Sequence, residues 1–258
     1  MKVLHSAIRM LAVSPLILAA PALAQSSVSS GGDGAAEIAA AANVEGPCHW
    51  TRSLKQSGYS DGDKIKPGKY LFYARPNASL DIELIGAGGS GGGTTMGTGH
   101  PKWGAGGSAG EIKRWVAHKL EPGVYLLEVG AGGGEVQGRR SWQDYGVRAV
   151  NGAPGGGTAI KRCASGFRII GANGGAGGAG DSSKVSSERA NQRAGKGSDL
   201  IDLENGQTIG TGGAGGRWQQ SGADGSGVGA GGGGQGAYDG SNKKSGRGAG
   251  GQALIVGL

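Results

Sequence analysis

Residues 80–93 read LDIELIGAGGSGGG. The first half alternates. Leu80, Ile82 and Leu84 fall on one face and Asp81 and Glu83 on the other, the period of a half-buried strand. The second half is glycine broken by one alanine and one serine. A strand that runs into glycine has three readings: a phosphate-binding loop, a flexible filler, or a packed glycine scaffold.

The phosphate reading needs a helix after the glycines, with an acidic residue beyond the next strand. The chain instead continues as GGSGGGTTMGTGHPKWGAGG over 88–107. Glycine costs about 1 kcal/mol per helix position and Pro101 adds a break, so no helix forms there. The stretch contains no GKS or GKT either, and nucleotide binding is excluded. The linker reading fits Gly/Ser coils. Here the glycine runs are interrupted by single large residues and by strands, and many positions are alanine, which neither loosens a chain nor solubilises it.

Of 60 glycines, none falls in 1–30 and 53 lie in 86–258, about 31% of that stretch against an average near 7%. The runs are GAGGSGGG (86–93), GAGGSAG (104–110), GAGGG (130–134), GAPGGG (152–157), GANGGAGGAG (171–180), GTGGAGG (210–216), GVGAGGGGQG (227–236) and GRGAGG (246–251). Aromatic residues are 5% and charged residues 17%, too few large apolar side chains for a conventional core of this length. Polyproline-II geometry, three residues per turn with all amides pointing outward, offers the runs a packed alternative. Neighbouring backbones then satisfy one another's N–H and C=O groups, with glycine required wherever two backbones touch.

Strands are expected at 69–74, 80–85, 111–120, 124–129, 158–163, 167–172 and 253–257. Glu121-Pro122-Gly123 marks a hairpin joining 111–120 to 124–129, and Ala164-Ser165-Gly166 marks a second joining 158–163 to 167–172. A disordered glycine tail has no need to finish in ALIVGL; a closed fold does, because the last strand can pair back into the first sheet. The fold class is mostly β: a small antiparallel framework carrying glycine-rich loops or a polyglycine-II helix bundle.

The N-terminus, MKVLHSAIRMLAVSPLILAAPALAQ, has Lys2 and Arg9, an apolar run, and Ala22-Leu23-Ala24 as a small-x-small cleavage site. It reads as a secretory signal peptide over 1–24. The run is short of the ~20 residues that span a bilayer, and no later segment is apolar enough to cross. Residues 25–47 read as a linker with a marginal helix turn at 35–43, and 48–258 as the glycine-rich domain. The expected location is secreted, periplasmic or cell-surface. The formal charge of +7 falls to +5 once Lys2 and Arg9 leave with the signal. The basic pairs are short and scattered, without a stripe of interleaved aromatics, which excludes nucleic acid. Cys48 and Cys163 are the two cysteines. An even count in an exported chain favours one disulfide tying the N-terminal lead to the strands near 158–171, with two free buried thiols as the alternative.

No catalytic constellation, cofactor motif or metal-ligand spacing emerges. His49, His100 and His118 fall in no ligand pattern. Ser90 and Ser108 match GxSxG formally, but a nucleophile elbow needs a helix after the serine. Asp61 and Asp63 flank Gly62 without EF-hand spacing. What remains are aromatics between the glycine runs, Trp103, Trp142, Tyr145, Trp218 and Tyr238. Each is suited either to stacking on a sugar or partner surface, or to folding back as a cap.

GKYLFYARPNASLDIELIGAGGSGGG at 68–93, GAGGSAGEIKRWVAHKLEPGVYLLEVGAGGG at 104–134 and GRGAGGQALIVGL at 246–258 together resemble the glycine-rich domain of bacteriophage tail-fibre tips and related bacterial secreted proteins. In that family a strand ends in GAGGGGG, a strand pair built around TPGQTYTVTVGAGG comes next, and an apolar strand closes the domain. LEPGVYLLEVGAGG is the counterpart here. The resemblance covers about 68–258 and implies a β framework carrying a polyglycine-II bundle, with receptor-binding loops at its tip. The chain departs from the family in its signal peptide, its cysteines, its 25–67 lead and the polar stretch 181–200. The functional expectation is an exported, non-enzymatic, adhesin-like protein that binds an envelope polysaccharide or surface protein. The alternative is a structural or matrix protein that self-associates through glycine-rich surfaces.

Overall fold

The computed structural model describes Cys48 and residues 51–94, 102–138, 150–180, 183–184, 194–217, 219–236 and 243–258. The signal-peptide, linker and 35–43 helix expectations lie outside these residues. The strands are β1 (Gly68–Ala74), β2 (Ser79–Ile85), β3 (Lys102–Trp103), β4 (Ile112–Lys119), β5 (Gly123–Val129), β6 (Thr158–Arg162), β7 (Arg168–Ala172), β8 (Ser183–Lys184), β9 (Leu200–Asp202), β10 (Gln207–Thr211), β11 (Ser226–Gly227) and β12 (Gln252–Val256). They form four sheets, ordered β1-β5-β6-β7, β12-β2-β4, β11-β10-β9 and β3-β8, and every pairing within them is antiparallel. The fold is mostly β.

The alternation in 80–85 does what its period requires. Leu80, Ile82 and Leu84 are buried while Asp81 stays exposed. These residues meet Ala253 and Ile255 of β12 and, across the core, Phe72 of β1, Tyr125, Leu127 and Val129 of β5 and Ile160 of β6. Phe72 and Tyr125 stack with centroids 5.6 Å apart. The last strand does pair back onto the first sheet, with Ala253 opposite Leu84 and Ile255 opposite Ile82. The β6-β7 hairpin forms as its turn signal indicates.

The other hairpin does not form. β4 pairs with β2, and both edges of β5 are taken by β1 and β6. The chain crosses between sheets at 120–122: Leu120 is buried in the core, and the Tyr125 hydroxyl donates to the Glu121 carbonyl at 2.8 Å. A Pro-Gly corner between two strand patterns marks a reversal, but not whether the second strand stays in the same sheet.

The opposite face of β1-β5-β6-β7 carries Leu71 and Leu126 against the disulfide Cys48–Cys163. The lead runs along β1 there, with the Leu71 N–H donating to Arg52 O and the Leu54 N–H to Leu71 O. The pairing expected for the two cysteines is the one present. Outside the core, Arg114 of β4 binds Glu83 of β2, Asp202 of β9 and Glu204 at 2.6–2.8 Å, tying two sheets together. The Arg114 guanidinium holds the Asp202 carboxyl below the usual range. A depressed carboxylate stabilises the fold above its ordinary pKa and stops doing so as the pH falls through its lowered value. In Arg114→Gln the stability lost relative to wild type is therefore expected in full at neutral pH, and to shrink as the pH drops below about 4. Denaturant midpoints across the acid range test this; a pH-independent gap would show that Arg114 acts by packing alone.

Beyond the residues that belong to strands, the described glycine runs form neither helix nor strand, yet most of them are hydrogen-bonded to one another. Residues 86–94 are buried along their whole length and bond with a period of three. Gly86, Gly89 and Gly92 donate to Glu111, Ser108 and Ala105; Ala87, Ser90 and Gly93 donate to Gly156, Ala153 and Val150; Gly88 and Gly91 donate to Ala249 and Gly246. Their carbonyls accept from three further segments: from Gly175 and Gly178, from Gly232 and Gln235, and from Gly133. One segment thus has six neighbours. Residues 229–236 are buried likewise, and Gly231 and Gly234 donate to Ser198 and Gly195 while Gly233 and Gly236 donate to Ala223 and Gln220. Peripheral segments show the same period as exposure: Asn173, Ala176 and Ala179 face solvent, as do Thr211, Ala214 and Arg217. Gly229 apart, no glycine of these segments takes a positive φ. Glycine is required there by close approach, since a Cβ on most of them would meet a neighbour's carbonyl.

Candidate functional site

Each glycine segment has one end on a strand. Residues 86–94 leave β2, 104–111 enter β4, 130–138 leave β5, 150–157 enter β6, 173–180 leave β7, 194–199 enter β9, 212–217 leave β10, 228–236 leave β11 and 244–251 enter β12. The opposite ends meet one another: Gly92 bonds to Ala105 and Gln235, Gly93 to Val150, Ala105 to Ala179, and Ser245 to Val136. The described ends that flank five connections, 95–101, 139–149, 181–193, 218 and 237–242, therefore lie at one end of the assembly.

Trp142, Tyr145, Trp218 and Tyr238 lie outside the described residues; by sequence each falls in one of these connections. Trp103, read from the sequence as a rim aromatic or a cap, is 2% exposed on β3. An indole buried to this degree has its large apolar area removed from water and does not offer a stacking face at the surface. Two further residues organise this end. The Gln235 Oε1 accepts from the N–H of Thr94 at 3.1 Å and of Gly138 at 3.0 Å, and the Thr94 hydroxyl donates to Gly236 O at 3.2 Å. Both side chains are buried, and together they tie three segment ends where the connections depart. The only sequence signal for them was a polar residue breaking a glycine run.

Ser90, Asp61 and Asp63 have structural partners, while His49 and His100 lie outside the described residues. Ser90 is fully buried, and its Oγ accepts the Ala153 N–H at 2.8 Å; the described residues after it, 91–94, are not helical. Asp61 accepts the N–H groups of Gly257 and Leu258 at 2.8 and 3.1 Å, and Asp63 accepts that of Ser60 at 2.7 Å. Among the described residues no group of three His, Cys, Asp or Glu could hold a metal ion, and no helix is long and apolar enough to cross a membrane. Comparison with family models finds none that matches the chain, and comparison with curated proteins finds no match.

Proposed function

We propose that this is an exported, non-enzymatic recognition protein in which a β framework anchors a polyglycine-II bundle, and the connections at the far end of that bundle bind an envelope glycan or surface protein. The observation that carries the reading is the common origin of the five connections at the end remote from the two core sheets, where the short β3-β8 pair lies. A rigid base that gathers variable loops at one end is the usual arrangement of a recognition surface. The bundle reading is supported by the three-residue period of donors, acceptors and exposed positions, and by the non-positive φ of the close-packed glycines. The disulfide fits an oxidising compartment, and the likeness to tail-fibre tips points the same way.

The test is titration of labelled, disulfide-bonded protein onto bacterial cells and purified envelope polysaccharides. Wild type should bind saturably. A Trp142→Ala, Trp218→Ala, Tyr238→Ala variant that melts like wild type should lose at least tenfold in affinity, the loss of two or more aromatic contacts of ordinary strength. A folded wild type that binds none of these surfaces would end the adhesin reading.

One observation favours a second reading. The exposed row Asn173, Ala176 and Ala179 is small-sided, so a second copy could lie against it. Concentration-dependent association in sedimentation, abolished by Ala176→Glu, would identify a structural or matrix role.

A further inference from the structure

A cavity of about 460 Å³ opens at the strand ends remote from the glycine segments. β1 runs from Gly68, opposite Val129 beside the first glycine of its run, out to Ala74; the cavity lies along the outer half of this strand, at Leu71, Phe72 and Tyr73, between the lead and the tip of β12. Its interior is apolar. Leu54, Phe72 and Ile255 contribute from buried positions at 5%, 2% and 1% exposure, and Leu258 joins them. Its lining includes two cations, Lys55 and Arg75. Both are exposed, and neither has an ion-pair partner among the described residues. The lining carboxylate, Asp61, is held by two backbone N–H groups instead.

We infer that this cavity binds an amphiphilic monoanion, with an unbranched acyl chain against Leu54, Phe72 and Ile255 and its carboxylate at Lys55 and Arg75. The volume lies in the range of about 300–1,000 Å³ usual for small-ligand sites, and an apolar interior with a few convergent polar groups is their usual lining. Two lining cations without an ion-pair partner among the described residues select an anion over a neutral or cationic head. A guanidinium additionally offers a planar fork that matches a carboxylate. The far-end connections play no part in this site, so its test is independent of the recognition reading.

The experiment is a titration of the disulfide-bonded protein with octanoate, decanoate and dodecanoate, all kept below micelle-forming concentration, and with decanol as the uncharged control. Methyl resonances of Leu54, Ile255 and Leu258 report the location. Saturable shifts confined to these methyls are expected. Affinity should rise about three- to fourfold per added methylene, hence roughly tenfold per two-carbon step. Decanoate should bind at least tenfold tighter than decanol. In Lys55→Gln, Arg75→Gln, two exposed positions, decanoate should fall to the affinity of decanol while the decanol affinity is unchanged. Absence of saturable shifts overturns the proposal, as does equal binding of decanoate and decanol by wild type, or a chain-length series without a gradient.

Discussion

Gly91→Ala lowers the stability of the domain by about 3 kcal/mol or more, while Gly134→Ala leaves it within about 0.5 kcal/mol of wild type. The two residues lie in comparable glycine runs and neither has a positive φ. They differ in what surrounds them. A Cβ on Gly91 would sit inside the van der Waals radius of the Gly233 carbonyl oxygen, with the Gly234 nitrogen close by; a Cβ on Gly134 meets nothing within 4 Å. The Gly233 carbonyl cannot simply move aside, because it accepts the Gly246 N–H, and Gly246 in turn accepts from Gly91. Displacing it leaves buried backbone groups unpaired, at about 1–3 kcal/mol each, in addition to the overpacking itself. For a total stability of about 5–15 kcal/mol this is a large fraction, and the melting temperature should fall by about 6–12 °C. Gly134→Ala even has scope to gain a few tenths by restricting the unfolded chain. Paired thermal melts decide the matter: equal effects at the two positions would show that glycine content, rather than backbone approach, is what the runs supply.

Reduction of Cys48–Cys163 is expected to cost at least as much. The bridge spans a sequence separation of 115 residues, for which loop-closure entropy amounts to about 4–5 kcal/mol. Part of the effect lies in the native state. The disulfide covers Leu71 and Leu126, and the lead it anchors supplies the backbone partners of Leu71 and the buried side chain of Leu54. Loss of the bridge frees the start of the lead, so Cys48→Ser, Cys163→Ser should be cleaved first by a protease near residues 50–53. Its denaturation midpoint should fall correspondingly, by about 10 °C in a melt. A midpoint unchanged on reduction would mean that the lead is held by its side chains without the cross-link.

Much of the framework was legible because strand alternation is local. Leu80, Ile82 and Leu84 announce their face within six residues, and the turn at 164–166 announces the β6-β7 hairpin. The partner of β4 was not legible, since Glu121-Pro122-Gly123 is equally compatible with a hairpin and with a crossing between sheets. The site was less legible. Trp103 reads as a loop aromatic because its neighbours are glycine and proline, and its burial depends on segments that arrive far along the chain. One signal was available and local: in GANGGAGGAG the side-chain-bearing positions 173, 176 and 179 recur every third residue, as do Thr211, Ala214 and Arg217. That period is the exposed row of an outer segment, written into the sequence as the places where glycine is dispensable.

The six-neighbour environment of residues 86–94 has a kinetic meaning. Their donors are satisfied by carbonyls as distant in sequence as Ala249 and Gly246, and their carbonyls by Gly232 and Gln235. Almost none of these pairings is local, so loop closure must be accomplished before any bond repays it. Without the late segments, residues 86–94 would hold backbone groups lacking these partners, which disfavours partly assembled states. Stable closure of the glycine segments is therefore expected to wait for residues 228–236 and 244–251, which supply those partners.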